Sequence, residues 1–104
     1  MRYILKDKVP IRCDDYEEWS NFLMTNRIVR QDQLAGPILI STIFLGLDHN
    51  FSGEGDPILF ETMMFGAPKL EGYQMRYKTW DEAELGHDIA LQFVKKVFEE
   101  KEDG

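Results

Sequence analysis

The sequence predicts an α+β domain in which an antiparallel meander of three to five strands is packed by two amphipathic helices, at about residues 15–24 and 80–99. Three observations predict it. Two segments repeat their apolar residues at helical spacing. Between them lie short β-branched and aromatic runs. Those runs are separated by glycine- and proline-bearing turns, which suit sequential antiparallel pairing.

The chain opens with Tyr3-Ile4-Leu5 and Val9-Pro10-Ile11 on either side of Asp7-Lys8, the two arms of a tight hairpin. Pro10 donates no ladder hydrogen bond, which predicts an edge. The first helix follows, over about residues 15–24. Asp14 or Asp15 caps it, with Glu17 or Glu18 in a box-like position. Tyr16, Trp19, Phe22 and Leu23 share one face, and Asn26 is read as a left-handed stop.

Ile28-Val29 reads as a short strand, and Gly36-Pro37 as a break. The run from Ile38 to Leu47 is apolar on both faces and is predicted to be central. Asp48 to Asp56 is a polar, glycine-rich loop. Pro57–Phe65 is a second buried strand and Tyr73–Lys78 a third, with a turn between them. The second helix starts at Thr79-Trp80-Asp81-Glu82, a capping box. Its core-facing stripe is Ala83, Gly86, His87, Ala90, Phe93, Val94 and Val97. Small residues at the head of that stripe let the helix lie close to the sheet.

The 104 residues suit one domain, and 43% hydrophobic with 30% charged residues is ordinary globular composition. The single Cys13 excludes an intrachain disulfide and a cysteine metal cluster, and a lone thiol suits a reducing compartment. Charges at Arg2, Lys6, Asp7 and Lys8 come too early for a signal peptide. The longest apolar run is too short to span a bilayer. The expectation is a cytoplasmic protein without a membrane segment. A formal charge of −7 disfavours nucleic acid as a partner.

The residues that bear chemistry are few. Asp48 and His49 stand where the central strand enters its loop, a position that joins rigidity to access; both also suit turn formation. Glu61 lies within an apolar strand, where a carboxylate needs a partner. A turn around residues 66–71 places it opposite Arg76, a cross-strand ion pair. His87 falls on the buried stripe of the second helix, where a histidine is usually satisfied by neighbours. Asp48, His49, Glu61 and His87 together supply nitrogen and oxygen donors for a metal or ligand site, although their spacing matches no local ligand motif. Ser52-Gly53-Glu54-Gly55 reads as a flexible connection or an anion-binding concavity, with Glu54 and Asp56 opposing an anion. Phe51, Tyr73, Tyr77 and Trp80 are large residues near strand ends, suited to the core or to an interface. Met63-Met64-Phe65 reads chiefly as core. No phosphate-binding glycine motif or nucleophile elbow is present.

Ser41–Phe51, Pro57–Gly66, Arg76–Ala83 with Gly86-His87, and the start with Tyr3, Leu5, Val9-Pro10, Asp14-Asp15 and Trp19 resemble a family of small, uncharacterised proteins encoded by bacteriophages and prophages. The resemblance covers nearly the whole chain, and the first two runs are its specific part. Asp7 and Ala67 depart from it where the family pattern has a turn glycine. The resemblance implies a phage-related, cytoplasmic setting and names no reaction. The expected function is that of a non-catalytic accessory protein, without cofactor or metal, which binds a bacterial or phage protein as monomer or homodimer. An inhibitor of a host or defence factor is one concrete form. The candidate binding residues are Asp48, His49, Phe51, Glu54, Asp56, Glu61, Arg76, Trp80 and His87, with the loop from Asp48 to Asp56 and exposed aromatics near it as the expected contact surface. The alternative is a small metal- or ligand-binding domain or hydrolase-like enzyme centred on Asp48, His49, Glu61 and His87, with a ligand pocket between sheet and second helix.

Overall fold

In the computed structural model, which describes residues 1–34 and 36–102 with side chains through residue 98, the strands divide into two antiparallel sheets. Strands β1 (Tyr3–Lys6) and β2 (Val9–Arg12) form a two-stranded sheet of their own. Their turn residues Asp7 and Lys8 both have positive φ, at 49° and 70°. Such a turn matches the natural strand twist. Strands β3 (Ile28–Gln33), β4 (Leu39–Phe44), β5 (Phe60–Phe65) and β6 (Gln74–Tyr77) form a four-stranded meander in sequence order. The hairpin joins this sheet through an Arg2–Leu47 bridge and a bond from the Tyr3 amide to the Gly46 carbonyl at 2.8 Å.

Helix α1 spans Tyr16–Asn26. Asp15 is its cap, accepting from the amides of Glu17 and Glu18 at 3.0 and 3.3 Å. The left-handed stop expected at Asn26 is absent: Asn26 is helical and Arg27 ends the helix with φ −80°. Tyr16 also departs from its expected core face. It is exposed and lies beneath the guanidinium of Arg2, while Trp19 donates to the Gly46 carbonyl.

Helix α2 spans Trp80–Glu102. The capping box forms as the sequence predicts: the Glu82 amide donates to Thr79 Oγ1, and Glu82 Oε1 accepts from the amides of Lys78 and Thr79. Ala83, Gly86, His87, Ala90 and Val94 are buried against the sheet. Of the rest of that stripe, Val97 is partly buried and Phe93 is exposed beside Tyr73. No helix of the described residues is long and apolar enough to cross a membrane.

Residues directly opposite on neighbouring strands share a face. Ile40, Thr42, Phe44, Phe60, Thr62 and Met64 therefore point to one side, the side that carries the helices. Two apolar clusters lie there. One joins Ile38, Ile40, Met64 and Leu70 to Ala90 and Val94. The other joins Phe44, Leu59, Phe60 and Ala83, with Phe22, Leu23, Tyr77 and Trp80 packed around them. The opposite face carries Leu39, Ile43, Met63 and Phe65 beside Ser41 and Glu61, and none of these belongs to either cluster. Phe65 is accordingly half exposed, against the expectation that it is core.

Candidate functional site

The candidate residues occupy four separate places, and the two-residue period of the strands is what parts Glu61 from His87. Glu61 and Thr62 are neighbours on β5 and must point to opposite faces. Glu61 projects away from α2, whereas His87 lies under α2 against Thr42 and Thr62. They do not converge. Among the described residues no group of three or more His, Cys, Asp or Glu side chains is placed to hold a metal ion.

Glu61 is only 7% exposed. It is paired with Arg76, directly opposite on β6, through Nε–Oε2 at 2.9 Å, and Gln74 donates to the same oxygen at 2.8 Å. The carboxylate is thus satisfied by the adjacent strand, and its ionic partner is the one expected from the hairpin register.

His87 is fully buried, and both its ring nitrogens are engaged. Nδ1 lies 2.7 Å from Thr42 Oγ1, and Nε2 lies 2.7 Å from Asp32 Oδ2. Thr42 Oγ1 lies 2.6 Å from Thr62 Oγ1, and the Tyr77 hydroxyl donates to Thr62 at 3.1 Å. Each hydroxyl has one proton to give, and an ionised carboxylate only accepts. With an uncharged imidazole, the pattern that satisfies every group runs Tyr77 to Thr62 to Thr42 to Nδ1, with Nε2–H donating to Asp32. Arg30 continues the line, bonded to Asp88 at 2.6 Å and 3.3 Å from Asp32. The Asp88 hydrogen bond holds the Arg30 guanidinium more firmly in its charged form. This polar seam separates the two apolar clusters. Asp32, Thr42 and Thr62 were not among the sequence candidates; the available signal was a pair of threonines at facing positions of otherwise apolar strands.

Asp48, His49, Phe51, Glu54 and Asp56 remain together, in the loop between β4 and β5. The loop is braced by its own side chains, in place of the slack connection expected from its glycines. Asp48 Oδ1 accepts from the amides of Asn50 and Ile58 at 2.7 and 3.0 Å. Asn50 Nδ2 donates to the carbonyls of Glu54 and Asp56 at 2.7 and 2.9 Å. Ser52 donates to Asn50 Oδ1, and the Glu54 amide donates to Ser52. His49 donates from Nδ1 to the Leu47 carbonyl at 2.8 Å and tilts against Phe51, with ring centroids 5.8 Å apart. Phe51 is left 83% exposed.

Trp80 lies elsewhere, at the head of α2. It packs edge-on against Phe60, and its buried indole N–H has no acceptor among the described residues. A cleft of about 350 Å³ opens beside it, lined by Asp7, Lys8, Val9, Pro10, Thr79, Trp80 and Asp81. The ligand pocket expected between sheet and helix is filled by the two clusters and the polar seam. No protein-family model, curated protein or solved structure matches this chain.

Proposed function

We propose that this chain is a non-catalytic accessory protein of a phage or prophage that acts in the host cytoplasm by binding a bacterial or phage protein, as an inhibitor of a host or defence factor in its most concrete form. The observation that carries the reading is Phe51. A large apolar side chain is held in solvent on a loop whose polar groups are spent fixing its own shape. A preorganised aromatic anchor loses little freedom when a partner covers it. Glu54 and Asp56 follow the anchor in the same loop and suit a socket with a basic rim. The candidate acid–base groups Glu61 and His87 support the same reading, since each is committed to internal partners.

The test is affinity capture from bacterial lysate with the whole chain, its Phe51→Ala variant and a Glu54→Lys/Asp56→Lys variant. Circular dichroism first establishes that all three are folded. A host or phage protein retained by the parent and lost by both variants is the expected result. An identical captured set in all three removes the loop as the contact surface.

A further inference from the structure

The cleft beside Trp80 has the chemistry of a cation site. The indole of Trp80 lines it, and an indole face attracts positive charge. The lining residues of the cleft include two acidic ones, Asp7 and Asp81, and one basic one, Lys8. Lys8 itself shows what the ring accepts, since its Nζ lies 5.4 Å from the Trp80 ring centroid. Both Lys8 and Asp7 occupy the left-handed region, where a two-residue hairpin turn favours Asn-Gly. These are the two turn residues of the β1–β2 hairpin, whose geometry requires positive φ at both. That turn sets a basic and an acidic residue in the lining of an aromatic cleft. Glu82 is turned away by its bonds to the Lys78 and Thr79 amides. The Asp48–Asp56 loop reaches the same end of the sheet: a Cβ built on Gly55 would lie 3.7 Å from Lys78 Nζ.

We infer that this cleft receives a guanidinium or ammonium side chain of the protein partner, with Trp80 as its platform, Asp7 and Asp81 as its counter-charges and Lys8 as the internal occupant that it displaces. The inference rests on the reading of the chain as a protein-binding module and gives that partner a basic residue beside its apolar socket. An excess of acidic over basic residues along the whole chain favours such a partner at long range.

The test uses the full chain and Nα-acetyl-arginine methylamide, with the blocked citrulline as the neutral isostere. The Trp80 indole and Asp81 amide resonances are followed by ¹H–¹⁵N NMR. Saturable movement with arginine and none with citrulline is the expected result. Asp7→Asn and Asp81→Asn each weaken arginine binding by about threefold. Lys8→Asn, which suits the left-handed turn, strengthens it by about threefold because the competing cation is gone. Equal responses to arginine and citrulline, no response to arginine, or unchanged or weaker binding by Lys8→Asn overturns the inference. Arginine binding that persists while Phe51→Ala leaves the captured proteins unchanged faults the loop reading alone. Lost capture by Phe51→Ala with no response to arginine faults the cleft alone.

Discussion

Glu61 and Arg76 stand directly opposite on β5 and β6, with the guanidinium Nε donating to the carboxylate at 2.9 Å. The carboxylate is buried while the arginine is partly open to solvent, so the two sides of the pair are unequal. Arg76→Ala leaves Glu61 with Gln74 alone and is expected to destabilise the fold by about 1–2 kcal/mol, screening by water limiting the loss. Replacing both residues by methionine is expected to cost less than Arg76→Ala alone, because no charge is then stranded. Urea unfolding of the single and double variants measures both.

The bond from Thr42 to His87 joins β4 to α2 inside the polar seam. Thr42→Val keeps the shape but leaves Nδ1 of His87 without a donor and Thr62 without an acceptor. A loss of about 1–3 kcal/mol in stability is expected. In the parent protein, with the ring uncharged, ¹⁵N NMR is expected to find the proton on Nε2. A proton on Nδ1 would contradict the direction of the chain from Tyr77 to Asp32.

Gly86 is a helical glycine whose replacement has two opposed effects. Alanine gains about 1 kcal/mol of helix propensity. Its Cβ, however, would lie 2.2 Å from the Tyr77 ring and hydroxyl, and overpacking costs about 1–3 kcal/mol. Gly86→Ala is therefore expected to be net destabilising. Tyr77→Leu combined with it should recover part of the loss, so that the double variant is more stable than the two single effects predict. Strict additivity would show that the close approach of α2 to Tyr77 does not limit this position.

Burial pushes the Tyr77 hydroxyl above the usual tyrosine range, partly offset by the bond to Thr62, and burial followed by the proximity of Tyr77 does the same for Tyr73. The folded state therefore holds these protons more tightly than the unfolded state. The associated stability is fully present below the ordinary tyrosine pKa near 10 and is lost as pH rises through the raised folded values. Absorbance at 295 nm should show two late-titrating tyrosines. Urea midpoints should fall through the same alkaline interval, and fall less in Tyr77→Phe.

Much of the local architecture is written in short stretches of chain. Thr79 and Glu82 are three positions apart, and their reciprocal bonds need nothing beyond the first turn of α2. The pairing of Glu61 with Arg76 follows from one hairpin whose turn fixes the register. The order β3-β4-β5-β6 is the order of the chain, each strand pairing antiparallel with the one before it, as expected of sequential strands rich in β-branched and aromatic residues. Where local patterns misled, tertiary packing had intervened. Tyr16 has the helical spacing of a core residue, yet Arg2 from the neighbouring hairpin takes it as a solvent-side partner. Phe65 sits in an apolar run, but strand alternation turns it to the face without a helix.

By itself, the sequence determined the kinds of element and their order, the capping box of α2 and the neutralisation of Glu61. Each depends on residues close along the chain or joined by one hairpin connection, where backbone geometry leaves few choices. Only the tertiary structure decided that His87 meets Thr42 and Asp32, 45 and 55 positions away, and that Lys8 lies over Trp80. Those meetings depend on how α2 is seated on the sheet and how the first hairpin is carried to its head. Packing of whole apolar faces sets both, and local spacing does not encode that arrangement.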